Sequence, residues 1–378
     1  MYDKEVMDIN PEKILIIRLS AIGDVVRTLP ALRALRNKYP AAYIAWVVEE
    51  NAQDILQGHP DLDRLFIFRR KKWMGEFFSI RHVLNPLKDV NAFFREIREQ
   101  DFDMVLDFHG ILKSGVISFF SGVPFRAGFS RDHSKECNYL FNNYHVTLET
   151  GEMNRIERNL KFIRFLGIDC DHWDNDQKPI IPITDNDRQY IDNFFKEKDL
   201  KTHTPLIAIH PGTSRKTPYK RWDISSYATV ADKLIEQLDA HVLWTWGPGE
   251  LETSQAIVDR MRHGSTIACK TENLRQLAEI FNRCDLFLGS DSGPMHIASF
   301  VKTPVVAIFG PTNPVVNAPY EKNPHVILRK DMPCSPCRKR DCKSVQCMAM
   351  VKPDEVFEAV KKLLYVNGGI ANQNIGSI

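Results

Sequence analysis

Three stretches of this 378-residue chain carry residue types suited to phosphate chemistry. The first, Asp291-Ser-Gly-Pro-Met-His296, sits between an apolar run and a helical one. Ser292, Gly293 and Pro294 fall where that helix would begin. Glycine lets another group approach the backbone, and proline in the first turn gives up an N–H that no helix bond needs. The remaining N–H groups and the positive end of the helix dipole suit an anion. Asp291 and His296 flank the site with an acid and an imidazole, so the stretch is expected to hold a nucleotide's diphosphate. The second stretch is His210-Pro-Gly-Thr-Ser-Arg215 with Lys220-Arg-Trp222. Thr213, Ser214 and Lys220 supply two hydroxyls and an ammonium, which a diphosphate needs where no metal neutralises it. The third, Trp246-Gly-Pro-Gly-Glu250, is only a G-x-G, but it lies between a strand and a helix, so Gly247 and Glu250 are further nucleotide candidates.

Neither a G-x-x-x-x-G-K-[ST] loop nor a strand-linked G-x-G-x-x-G occurs, which removes the main support for a kinase or a dehydrogenase. The D-x-D pairs Asp61/Asp63 and Asp101/Asp103 precede strands and are read as chance pairs, not metal sites.

Strands must present these residues, and the pattern provides them. Apolar runs over 13–19, 43–48, 65–68 and 102–108 read as buried strands of a first α/β series, with helices over 25–37, 90–98 and 155–166. Asp24 and Glu49 stand at strand carboxyl ends, where open α/β sheets bind ligands. Between the strands lies a basic run, Arg69-Arg-Lys-Lys-Trp-Met-Gly75, followed by Phe77, Phe78, Arg81 and His82. It reads either as a solvated loop or as a lid that meets an anionic, membrane-held substrate. Residues 126–135 form a second basic segment, and 168–184 read as an interdomain linker. A second series follows, with strands over 206–210, 241–245, 265–268, 286–289 and 305–309 and helices over 224–237, 251–261, 274–282, 294–300 and 353–365. The expected domains are 1–182, 183–351 and a helix with a flexible tail over 352–378.

A net charge of +2 is far from the basic excess of a nucleic-acid binder. No apolar run has the length of a membrane helix, and the acidic N-terminus lacks a signal-peptide core. A cytoplasmic protein is expected, peripheral at most, meeting any membrane-bound substrate from the inner face.

Together, Ser20-Ala-Ile-Gly-Asp24-Val-Val-Arg-Thr-Leu-Pro-Ala-Leu32, Trp46-Val-Val-Glu-Glu50, Asp107-Phe-His-Gly-Ile-Leu-Lys-Ser114, Lys220-Arg-Trp222 and Asp291 through Pro314 resemble the ADP-heptose:lipopolysaccharide heptosyltransferases, glycosyltransferase family nine. The resemblance implies a GT-B architecture: two Rossmann-like, doubly wound domains with a cleft between them, acceptor on the first and nucleotide sugar on the second. It implies inverting, metal-independent transfer of heptose from ADP-heptose to the lipopolysaccharide inner core, with no cofactor. Asp24 would be the general base, and its plainer alternative is a helix cap. Lys220, Thr213 and Ser214, with backbone N–H groups of Ser292 and Gly293, would meet the leaving diphosphate. Asp291 would orient the loop or touch the sugar, Glu250 would bind the ribose, and His296 would reach the phosphate or simply pack. Arg18, Arg69, Arg70 and Lys113 are the acceptor-binding candidates. His109 replaces the family's usual Gln. Other readings are a related transferase with another nucleotide sugar or glycan acceptor, and a nucleotide-binding protein without turnover.

Cys334, Cys337, Cys342 and Cys347 form C-x2-C-x4-C-x4-C, a run resembling that of second and third heptosyltransferase-like members. Four clustered thiolates could hold a structural metal, form disulfides or remain reduced.

Overall fold

Lys-Ile-Leu-Ile-Ile has no polar face to turn outward, and over Lys13–Ile17 it becomes β1, a central strand paired on both sides. The structure, a computed structural model, describes residues 10–77, 84–171, 173, 180–200, 204–337, 339, 341, 342 and 344–366. The chain divides into two compact units, residues 1–182 and 183–378.

In the first unit β1 is followed by α1 (Ile22–Val26), α2 (Leu29–Lys38), β2 (Tyr43–Glu49), β3 (Arg64–Phe68), α3 (Arg70–Phe77) and α4 (Leu84–Arg98). Then come β4 (Met104–Asp107), α5 (Leu112–Phe120), β5 (Phe125–Phe129), a 3-10 turn over Asn138–Phe141, β6 (Tyr144–Val146) and α6 (Arg155–Phe165). The strands form one parallel sheet in the order β3-β2-β1-β4-β5-β6. Winding reverses between β1 and β4, and the carboxyl ends there open the crevice that such sheets use for ligands. Leu15, Ile17, Val47 and Val105 pack under Phe66, Trp73, Phe93 and Phe102 on one face.

The second unit repeats the plan. It contains α7 (Asp185–Glu197), β7 (Leu206–His210), α8 (Ile224–Leu238), β8 (His241–Trp244), α9 (Leu251–Val258), β9 (Thr266–Ile267) and α10 (Leu274–Asn282). It continues with β10 (Leu286–Ser290), α11 (Gly293–Phe300), β11 (Val305–Ile308), α12 (Pro314–Asn317), β12 (His325–Leu328), α13 (Gln346–Ala349) and α14 (Pro353–Val366). The strand order β12-β11-β10-β7-β8-β9 matches that of the first sheet read from the other edge, with its reversal between β7 and β10. Val356, Phe357, Val360 and Leu364 of α14 join the core of this unit beside α8. Among the described residues no helix is long and apolar enough to cross a membrane.

Several elements differ from the sequence reading. The expected helix over 25–37 is two helices, because the ring of Pro30 in the first turn of α2 cannot sit over the Val26 carbonyl. The expected loop over 20–24 already holds the start of α1, and Asp24 lies inside that helix; Ala21 occupies the cap position. The basic run is not a loop at its start but α3, anchored by buried Trp73 against Phe68 and Phe93, with ring centroids 5.0 and 5.6 Å apart. Phe78, Arg81 and His82 lie outside the described residues. The basic segment from Arg126 begins inside β5. β5, β6 and β12 carry Arg, Gly or His and run only three to five residues, too short for an apolar run to show. α7 also escaped notice, although Thr184 and Asp187 make the reciprocal cap that starts it.

Candidate active site

At the switch point of the first sheet, Asp24 projects from α1 just beyond the end of β1. Three guanidiniums surround its carboxylate: Arg27 at 2.6 Å, Arg18 at 2.8 Å and Arg155 of α6 at 3.8 Å. Burial would raise the Asp24 carboxyl, but these arginines outweigh it and hold the group well below the usual carboxylate range. Arg18 is buried and also donates to the Phe108 carbonyl at 2.7 Å, so it ties the ends of β1 and β4 together. Thr28 Oγ1 donates to the Asp24 carbonyl at 2.8 Å, and Asn159 of α6 donates to Thr28 Oγ1 at 3.0 Å.

His109 lies beside this cluster. Its Nδ1 accepts the Leu19 N–H at 3.1 Å, which assigns the remaining proton to Nε2. Burial and then Arg18 push the imidazole down to about 3, so it is a neutral donor at physiological pH. Next to it Asp107 is fully buried and accepts from Ser114 Oγ at 2.9 Å, Asn138 Nδ2 at 2.7 Å and the His109 N–H at 2.9 Å. Farther along the edge, Glu49 at the end of β2 pairs with Lys113 at 2.9 Å and Arg70 at 3.3 Å. Arg69 is exposed immediately before α3.

At the switch point of the second sheet, Lys220 reaches Asp291 Oδ2 at 2.7 Å and the Asp291 carbonyl at 3.4 Å. Burial raises the Asp291 carboxyl, but Lys220 and then His296 outweigh it and lower it. His296 is buried in α11, with Nε2 4.0 Å from Asp291 Oδ1. Ser292 is the N-cap residue of α11 but makes no side-chain cap bond, and Pro294 lies in the first turn, as expected. Beyond β7, Thr213 is buried; its hydroxyl donates to the Thr217 carbonyl at 2.9 Å, while Ser214 is exposed. Arg221 braces the loop by donating to the Thr213 carbonyl at 2.9 Å.

Glu250 forms a second acidic centre. It accepts the Gly247 N–H at 2.9 Å and approaches His210 Nε2 at 3.4 Å and Arg221 at 3.8 Å. Burial raises its carboxyl, and the His210, Gly247 and Arg221 contacts bring it below its ordinary value. Its carboxylate lies over the Gly212 backbone, where any Cβ would collide with it. Gly289 serves similarly, since a Cβ there would come within 3.0 Å of the His210 carbonyl on the paired strand.

Thus Lys220, Asp291, His296 and the start of α11 come together, and Gly247 and Glu250 gather around Gly212. Asp24 and Arg18 pair directly, and Lys113 joins Arg70 on Glu49. Sequence reasoning gave no role to Arg27 or Arg155, and it named His210 and Arg221 only as members of the loop expected to meet the diphosphate. Arg27, three residues after Asp24 on a helix, was within reach of spacing rules; Arg155, from a distant helix, offered no local signal. All eight cysteines are free thiols. Cys347 is buried against Gly310, and burial followed by neighbouring Cys337, Cys342 and Cys334 raises its thiol. Among the described residues no three His, Cys, Asp or Glu side chains gather to hold a metal.

Two doubly wound parallel units, each with ionisable groups at the carboxyl edge of its switch point, define a protein of the GT-B fold class. The chain belongs to glycosyltransferase family 9 (heptosyltransferase), whose pattern its residues 90–348 match. It is 31% identical to lipooligosaccharide heptosyltransferase 2 of Campylobacter jejuni serotype O:2, over 91% of this chain and 95% of that one. Lipopolysaccharide core heptosyltransferase OpsX of Haemophilus influenzae is 26% identical over 84% of each chain. The solved structure of the E. coli heptosyltransferase WaaC with ADP superposes with a TM-score of 0.72 at 20% identity, covering 93% of this chain and 99% of that one.

Proposed function

We propose that this enzyme transfers heptose from ADP-heptose to the inner core of lipopolysaccharide, met from the cytoplasmic face of the membrane, with inversion at the anomeric carbon. The observation that carries the reading is the Asp24 carboxylate inside a ring of arginines at the carboxyl end of β1. Arg155, half-buried and only 3.8 Å from a carboxylate that Arg18 and Arg27 already hold, keeps a cation at this edge suited to an acceptor rich in anionic groups. A carboxylate held this low is ionised at neutral pH but weakly basic. An anionic acceptor that draws Arg155 toward itself leaves Asp24 more basic as the acceptor hydroxyl arrives. The hydroxyl oxygen then bonds to the anomeric carbon, its proton passes to Asp24, and the bond from that carbon to the diphosphate oxygen breaks.

Lys220 and the N–H groups opening α11 meet the charge growing on ADP, so this scheme needs no catalytic metal. Lys220 is held ready on Asp291, from which it can swing to a phosphate oxygen. Ser214 adds an exposed hydroxyl. Glu250, pinned over Gly212 and Gly247, is the acid placed to accept from the ribose. Lys113, Arg70 and Arg69 serve the acceptor, whereas buried Arg18 positions Asp24.

The test is transfer to truncated lipopolysaccharide from a panel of ADP-, UDP- and GDP-sugars. Turnover is expected with ADP-heptose, and Asp24→Asn should lower kcat by roughly 10²–10⁴. Wild-type turnover by Asp24→Asn would remove the general-base assignment, and a preference for another sugar would change the donor.

A further inference from the structure

Every exposed large hydrophobic side chain described in the first unit lies on α4, on α5 or in the 3-10 turn over Asn138–Phe141. On α5, Leu112, Phe119 and Phe120 are 44%, 51% and 49% exposed, with half-buried Val116 between them. The offsets of four, seven and eight residues place all four on one helix face. An ordinary α/β helix turns such a stripe inward, and here it faces solvent. Leu140, 65% exposed, extends the patch from the turn that packs on α5. Phe119 and Phe120 contact each other at 5.5 Å and rest on Phe141 and Phe94 at 6.2 and 5.6 Å, so the aromatic surface is held in place.

Cations border the patch. The Arg126 guanidinium lies 5.7 Å above the Phe119 ring, and that of Arg131 lies 5.9 Å above Tyr139. Arg131 and Lys135 are exposed, while half-buried Arg126 also donates to the Phe141 and Val123 carbonyls at 3.1 and 2.7 Å. Two exposed acids, Asp132 and Glu136, share this border, and Glu136 accepts the Leu112 N–H at 3.2 Å, so the cations outnumber the acids by three to two. Aromatic and aliphatic groups bordered by a small excess of cations suit the boundary between anionic headgroups and acyl chains. A buried protein interface fits less well, because burying the exposed Arg131 and Lys135 would need acids brought by the partner. The patch is also continuous with the candidate acceptor edge: Leu112 adjoins Lys113, which pairs with Glu49, and the stripe runs down α5 from there.

We propose that the α5 stripe and the Asn138–Phe141 turn form a membrane-contact surface for an anionic phospholipid bilayer, holding the acceptor edge of the first unit at the headgroup level. The orientation relies on the proposed function, in which the acceptor is lipid-linked; the contact itself does not.

The experiment is flotation of the full chain with vesicles free of lipopolysaccharide, made either of phosphatidylglycerol with phosphatidylethanolamine or of phosphatidylcholine alone. Wild type should float with the anionic vesicles and much less with the neutral ones. Phe119→Ser/Phe120→Ser should partition at least about tenfold more weakly, and Arg126→Gln/Arg131→Gln/Lys135→Gln should lose about fivefold per charge. Leu140→Ser, a surface change in the turn, should weaken binding without altering the thermal midpoint. Wild type failing to bind, or both multiple variants binding as wild type does, would overturn the proposal. A wild-type dimer that Phe119→Ser/Phe120→Ser converts to monomer would also overturn it, assigning the patch to a second copy. Because no sugar is transferred in this assay, its failure leaves the proposed reaction standing, and failure of the reaction leaves this surface standing.

Discussion

Lys220→Met removes the ammonium from Asp291 and tests how the second switch point is held together. At 2.7 Å and an effective dielectric of about 20, the Coulomb attraction is on the order of 6 kcal/mol. Part of this is returned because the lysine no longer has to be desolvated, which leaves a net loss of about 3 kcal/mol. The sign of the pH dependence should also change. In the wild type the Asp291 carboxyl is depressed, so its contribution is present above the unfolded value of about 4 and fades as pH falls below it. Without Lys220, burial dominates and raises the carboxyl. The folded state then binds a proton that the unfolded chain does not, so the variant gains stability as pH falls from about 7 toward about 4. Urea titrations of both proteins at several pH values measure this directly. Lys220→Met/Asp291→Asn should recover stability to within about 1 kcal/mol, because no lone charge remains buried. Its sugar transfer should stay down by about 10²–10³, because the leaving-group cation is still missing. A Lys220→Met protein with wild-type stability and an unchanged pH slope would refute the ion pair. Recovery of transfer in the double variant would refute the role of Lys220 toward the leaving group.

Asp187 accepts from Thr184 Oγ1 at 2.6 Å, Arg275 Nε at 2.8 Å and Asn273 Nδ2 at 3.0 Å; against the upward pull of burial, these contacts bring its carboxyl to about 2. Its contribution, about 2 kcal/mol, should be complete above about pH 4 and lost as pH falls toward 2. Asp187→Asn should therefore start lower in urea midpoint at neutral pH and show a flatter acid slope than wild type. His109→Gln keeps an acceptor for the Leu19 N–H and should unfold within about 1 kcal/mol of wild type, whereas His109→Phe orphans that donor and should cost about 1–3 kcal/mol. Equal thermal midpoints for the two His109 variants would show that the bond carries no weight.

The strong features of the fold were legible because burial on both faces of a parallel sheet writes itself as apolar runs, as at Ile14–Ile17 and Leu206–Ile209. The switch-point loops were legible too, since Gly293 and Pro294 announce a helix start through backbone chemistry alone. Part of what escaped was tertiary. Trp73 anchors a run of charges as a helix by packing on nearby Phe68 and on Phe93, and the second contact lies outside any local window. Arg155 approaches Asp24 from a helix 131 positions later, so its electrostatic weight on that carboxylate had no sequence signature. The α5 stripe was invisible for the opposite reason: its spacing is that of a core-facing helix, and only the structure reveals that the face is exposed.

The shared strand order also has a consequence for how the chain is made. In the first unit β1 can complete its central pairing only when β4 arrives, since Ile14 pairs with Met104. In the second, Ile207 must wait for Leu286. At a synthesis rate of about 5–20 residues per second, each innermost strand waits about 4–18 s for that partner. During that interval Ile-Leu-Ile-Ile and Leu-Ile-Ala-Ile offer unpaired apolar edges, and the newborn chain is most exposed to mispairing and to chaperone capture before either switch point exists.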